Sequence, residues 1–109
     1  MANIFDLPPK LLTEEYFEPL VLGENLLIER IISTGQTTPV GEWYNQERDE
    51  WVILLQGNAT LGYADGSIIQ LRAGDYVFIP AHQKHRVEHT SSEPPWIWLA
   101  VHANLHRNF

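Results

Sequence analysis

The stretch Gly74-Asp75-Tyr76-Val77-Phe78-Ile79-Pro80-Ala81-His82-Gln83-Lys84-His85 opens on a turn pair, runs through four β-formers and closes on a proline and two histidines. Tyr, Val, Phe and Ile suit a pleated, half-buried surface, so 76–79 reads as a strand. Pro80 has no N–H for a ladder and ends it. The two imidazoles therefore stand just past a strand end, where a loop can aim them.

The same rhythm extends in both directions. Turn formers recur at Gly23-Glu24-Asn25, Gly35, Pro39 to Gly41, Gly57-Asn58, Asp65-Gly66 and Pro94-Pro95, with short apolar runs between them. Eight strands are predicted, at 18–22, 26–33, 50–55, 59–64, 67–71, 76–79, 86–89 and 96–102, the pattern of an all-β sandwich or barrel. Asp65-Gly66 predicts a type I′ hairpin turn. A helical turn is expected only at 11–17, with Thr13 as its N-cap and Pro19 beyond its end.

With 109 residues, the chain is expected to form one domain spanning 1–109, its barrel at about 26–103 after a short N-terminal extension. Seven Lys and Arg against fourteen Asp and Glu leave a net charge of -7, which repels phosphate backbones and argues against nucleic acid. The absence of cysteine removes disulfides, thiolate catalysis and Cys-based zinc sites. No apolar run is long enough to span a membrane, and residues 1–5 lack a cationic and apolar leader, so a cytoplasmic location is expected. Strands apolar on both faces, such as 51–55, predict a homodimer. Motifs for nucleotide binding and for serine or zincin hydrolysis are absent.

Four of the five histidines, His82, His85, His89 and His102, fall on or beside the last two predicted strands. Strand alternation places His85, Val87 and His89 on one face, and Trp96, Trp98, Ala100 and His102 on one face of the next. A hairpin centred near residue 93 would bring His102 opposite His85 and leave His89 too far away to share an ion. His106 sits in a polar tail and is read as structural.

The stretch 74–85 resembles the second motif of the cupin family, Gly-x5-Pro-x-Gly-x2-His-x3-Asn, with His82 at the internal Gly position and His89 at the Asn position. Glu50 to Gly57 resembles the end of the first motif, Glu-x6-Gly, whose opening glycine would be Gly35. The resemblance implies a cupin-type jelly-roll β-barrel with one divalent metal in its lumen, held among others by Glu50 and His85. The family's His-x-His pair falls on Trp43 and Asn45 or on Tyr44 and Gln46. His102 and His82 are the candidates to complete the ligand set, ahead of Gln46, around zinc, iron, manganese or nickel.

A small organic ligand is the expected partner, in a pocket walled by members of Tyr44, Gln46, Tyr76, Phe78 and Trp98. Three functions follow from the resemblance: a metal-dependent cupin that binds or transforms a small molecule, a metal-free binding or sensing module, or a metal-independent sugar isomerase or epimerase. In the last, His85 would be the base and Tyr44 or Tyr76 the acid.

Overall fold

A computed structural model describes residues 2–8 and 14–105. Eight strands follow one another: β1 Tyr16–Gly23, β2 Leu26–Ser33, β3 Asp49–Gln56, β4 Asn58–Tyr63, β5 Ile68–Arg72, β6 Tyr76–Ile79, β7 His85–Thr90 and β8 Trp96–Ala103. They form two antiparallel sheets, β1-β2-β8-β3-β6 and β5-β4-β7. The arrangement is all-β, as expected for a jelly-roll barrel. Every predicted strand is present, its ends within two residues of the expected ones.

The core fills the space between the sheets. Val52 and Leu54 of β3 and Ala100 of β8 are fully buried and meet Leu61 of β4 and Val87 of β7. Trp96 and Trp98, two residues apart and therefore on one face of β8, stack at 4.8 Å between ring centroids. Such a pair adds about 0.5–1.5 kcal/mol beyond the area it buries.

Four expectations require correction. β7 and β8 do not form a hairpin: β7 pairs with β4, whereas β8 lies between β2 and β3 in the other sheet. The segment after Thr90 therefore crosses from one sheet to the other. His89 does not share a face with His85, because the β4/β7 register shifts, pairing Leu61 with Val87 but Thr60 with His89. The extra residue, Glu88, is a bulge that reverses the alternation, so Thr90 is buried and His89 is exposed.

The Asp65-Gly66 turn is not type I′, since Asp65 is not among the residues of positive φ and Gly66 has φ 90°. Gly66 N donates to Tyr63 O at 3.0 Å and Tyr63 N to Ser67 O at 2.9 Å, a type I turn completed by a left-handed glycine. Asp65 favours this form by accepting from the Ser67 amide and hydroxyl. Of the helical turn expected at 11–17, residues 11–13 lie outside the described residues, and Tyr16 and Phe17 are the start of β1.

The outer face of the larger sheet is apolar. Trp51, Ile53 and Leu55 of β3 and Leu99 and Val101 of β8 are half-buried there, Phe78 of β6 beside them, and Tyr76 of β6 lies against Trp51 with ring centroids 5.7 Å apart. No helix among the described residues is long and apolar enough to cross a membrane.

Candidate metal and ligand site in the barrel

Three elements bring the site together. His102 of β8 is the direct cross-strand partner of Glu50 of β3, so both side chains leave the larger sheet toward its inner face. His85 opens β7 on the smaller sheet. A bridge fixes its backbone: Tyr44 N donates to His85 O at 2.7 Å and His85 N to Tyr44 O at 3.1 Å. Their rings stack at 5.5 Å. The two histidines thus converge across the barrel from opposite sheets, and not across a hairpin.

His85, Glu50 and His102 are each nine-tenths buried or more. His85 Nδ1 lies 2.9 Å from Gln83 O, and a carbonyl only accepts, so Nδ1 carries the proton. Burial lowers the His85 pKa, which favours the neutral ring. The lone pair of His85 Nε2 then faces Glu50 Oε1 at 3.7 Å. Glu50 Oε1 is itself buried with no hydrogen-bond partner. Desolvation above all, with Glu29 adding to it and His102 opposing, raises Glu50 from 4.5 to about 7.

His102 Nε2 donates to Glu29 Oε1 at 2.9 Å and lies 4.0 Å from Glu50 Oε2. Among the described residues no three His, Asp or Glu side chains already stand as a ligand set. The Glu29 contact explains this, since it occupies the nitrogen that His102 turns to the site.

Tyr44 and Gln46 line the cavity, whereas Trp43 and Asn45 are exposed. Gln46 Oε1 is buried without a partner. His82 is not at the site: at φ 64° its side chain is exposed and its Nδ1 lies 3.1 Å from Asn45 Oδ1. Its backbone still contributes, since His82 N donates to Gln46 O at 2.8 Å and holds the Gln46 strap. Trp98 lines the cavity as expected. Tyr76 and Phe78 do not, because on β6 the inward positions are Val77 and Ile79, which pack against the core; Tyr76 is 67% exposed.

Two acidic residues escaped the sequence reading. Glu29 is an inward-facing charge of an apolar strand, its side chain 12% exposed and paired with His102. Glu15, assigned to a helical turn, lines the cavity just ahead of β1, and burial followed by Glu29 raises its pKa to about 7. Burial, then Glu15, also pushes the Tyr44 hydroxyl up. The cavity measures about 50 Å³, and an outer hollow of about 460 Å³ lined by Asn25, Leu27, Glu47 and Arg48 shares Glu29, Gln46 and His102 with it.

Comparison with known proteins agrees with this architecture. A crystal structure from Ralstonia eutropha JMP134, described as a "putative mannose-6-phosphate isomerase", superposes with a TM-score of 0.89 at 40% identity, covering 96% of this chain and 98% of that one. A cupin superfamily protein from Desulfitobacterium hafniense DCB-2 shares the fold at 17% identity, TM-score 0.73, over 90% of this chain and 84% of its own. An RmlC-like cupin from Methanocaldococcus jannaschii, with a double-stranded β-helix fold, does so at 18% identity, TM-score 0.70, over 95% and 92%. No curated protein matches the chain. The Cupin_2 model, a cupin domain, matches residues 31–102, and the chain belongs to that family.

Proposed function

We propose that this cupin holds a divalent metal ion at Glu50 and His85, with His102 beside them, and uses the centre to bind or transform a small organic molecule. The observation that carries the reading is the meeting of two acceptors, His85 Nε2 and Glu50 Oε1, at 3.7 Å in a buried cavity. Two lone pairs facing each other repel unless a cation or a proton lies between them. Ligands about 2.0–2.1 Å from a tetrahedral zinc stand about 3.3 Å apart, so the observed spacing needs only a small closure. The donors, imidazole and carboxylate with an amide oxygen near, suit zinc, iron, manganese or nickel.

The remaining parts support such an ion. Gln83 O fixes the His85 tautomer that presents Nε2, the usual outer support of a ligating imidazole. Glu29 orients His102 and exchanges with the ion if His102 ligates. An ion bound there supplies Lewis acidity to a ligand oxygen. Glu50, held near neutrality, can hold or release a proton at Oε1.

A proton shared by Glu50 and His85 is the second reading, favoured by the raised pKa of one and the lowered pKa of the other. It would suit a metal-independent isomerase, and the Ralstonia neighbour's description points to sugar chemistry. Elemental analysis of the protein purified without a His tag separates the two. About one ion per chain is expected; protein that carries none and takes up none on dialysis against each metal supports the proton-sharing site instead.

We also propose a second copy of the chain as the partner of the apolar outer face. Exposed antiparallel sheets normally alternate polar outward, whereas β3, β6 and β8 present mostly aromatic and aliphatic side chains there. Light scattering is expected to give twice the 12.6 kDa chain mass, and Leu99→Glu to give a folded monomer. A wild-type monomer at every concentration tested overturns the assignment.

A further inference from the structure

We infer that the molecule received by this cavity is uncharged and hydroxyl-rich, an unphosphorylated sugar or polyol, and that phosphorylated counterparts are excluded. The inference deepens the proposed site and rests on it for the role of Glu50 and His85. It is carried by the charges of the lining and by its unpaired polar atoms.

Glu15, Glu29 and Glu50 all line the cavity, and among the described residues no Lys or Arg does. The arginines nearest in sequence to these elements are committed elsewhere. Arg30 binds Glu18 and the carbonyls of Ile4 and Asp6, and Arg86 binds Thr38 O and Glu88. Arg48 reaches only the outer hollow, where Glu47 and Glu29 outnumber it. A phosphate carrying about -1.5 to -2 near neutral pH would meet no cationic side chain among the described residues, and the three carboxyl groups, when ionised, outweigh the charge of one divalent ion bound at Glu50 and His85.

The unpaired atoms separate a neutral polyol from an organic cation. Gln46 Oε1, and Glu50 Oε1 when no ion takes it, are buried acceptors without a protein donor, and Trp96, which lines the same cavity, keeps a buried Nε1–H without an acceptor. An ammonium group offers donors only and a phosphate mainly acceptors, whereas a hydroxyl is both. Phe17, Tyr44 and Trp98 supply apolar walls for C–H surface. At about 50 Å³ the inner cavity has room for about three or four water-sized groups. A hydroxyl-bearing end therefore enters it while the rest of the molecule lies in the outer hollow.

The test is titration calorimetry on the full chain with D-mannose and D-mannose 6-phosphate, then with a panel of unphosphorylated hexoses, pentoses and polyols, metal content being measured on the same samples. At least one unphosphorylated compound is expected to bind, at least ten-fold tighter than its phosphate ester, and Glu15→Gln is expected to narrow that gap several-fold. Equal or tighter binding of the esters overturns the inference, as does the absence of binding by every unphosphorylated compound at tens of millimolar. An ion-bearing protein that prefers the ester defeats the ligand class and leaves the metal site standing. An ion-free protein that still prefers the unphosphorylated compound keeps the ligand class and removes the ion.

Discussion

Protein carrying His85→Ala is expected to lose its divalent ion, from about one per chain to less than about a tenth after dialysis, while remaining folded. Losing only the group that hydrogen-bonds a ligand costs about 10–100-fold in metal affinity, so deleting a direct ligand should cost at least ~100-fold. His85 is the side chain that the smaller sheet contributes to the centre, and its Nε2 faces the orphaned Glu50 oxygen. The truncation leaves a small void beside Tyr44 and frees the Gln83 carbonyl, at a cost of about 1–3 kcal/mol to the ion-free protein. Far-UV circular dichroism should be unchanged and the melting temperature moderately lower. His82→Ala is the matched control and should retain the ion, because its ring lies outside against Asn45. Full metal content in His85→Ala would remove the ion from this site.

Strand positions were legible because each apolar run is bounded by turn chemistry that few other structures accept. The run 26–33 and the run 76–79 emerge with their predicted ends, and alternation along 96–102 correctly places Trp96, Trp98, Ala100 and His102 inward. Pairing was less legible. A β-turn-like Ser91 to Pro95 suggests a hairpin, yet nothing local states which sheet the next strand joins; that is fixed by how apolar faces are shared between two sheets. His85 and His102 still meet, because both sheets turn their buried faces to one lumen.

The site was legible where a residue's type and parity agreed, as for Glu50, His85 and His102. It was illegible where backbone geometry decided. His82 sits in a left-handed conformation that swings it outward, and one bulge residue, Glu88, turns His89 to solvent. Tyr76 and Phe78 failed because β6 is an edge strand whose inward side chains are the alternate pair, Val77 and Ile79, and a strand apolar on both faces gives no parity signal. Glu29 was missed because 26–33 carries one charge on each of two otherwise apolar faces, Glu29 and Arg30, so alternation does not say which of them faces inward. Arg30 is itself buried and pairs with Glu18, while Glu29 faces His102.

Glu50→Gln is expected to stabilise the ion-free protein by an amount that grows with pH. Burial holds the folded-state pKa of Glu50 at about 7, above its ordinary 4.5. Below about pH 4.5 the carboxyl is protonated whether the chain is folded or not, and carries no penalty. Between about 4.5 and 7 the folded state binds more proton than the unfolded state, so stability falls as pH rises; above 7 the penalty is complete, at about 3 kcal/mol. Glu15 acts in the same direction but less, being only half-buried. His85 acts in the opposite direction: burial lowers its pKa, so its contribution is present above about 6.5 and lost as pH falls. The wild-type profile therefore mixes opposing slopes, and the difference between Glu50→Gln and wild type isolates Glu50. Urea unfolding in the presence of a chelator should give a difference near zero at pH 4.5, rising to about 3 kcal/mol in favour of the variant at pH 8. A saturating divalent ion should reverse that order, since an ion at about 1,000 times its Kd stabilises wild type by about 4.1 kcal/mol and the variant has lost a charged ligand. A difference that stays flat from pH 4.5 to 8 would mean that the Glu50 carboxyl is not held near neutrality in the folded barrel.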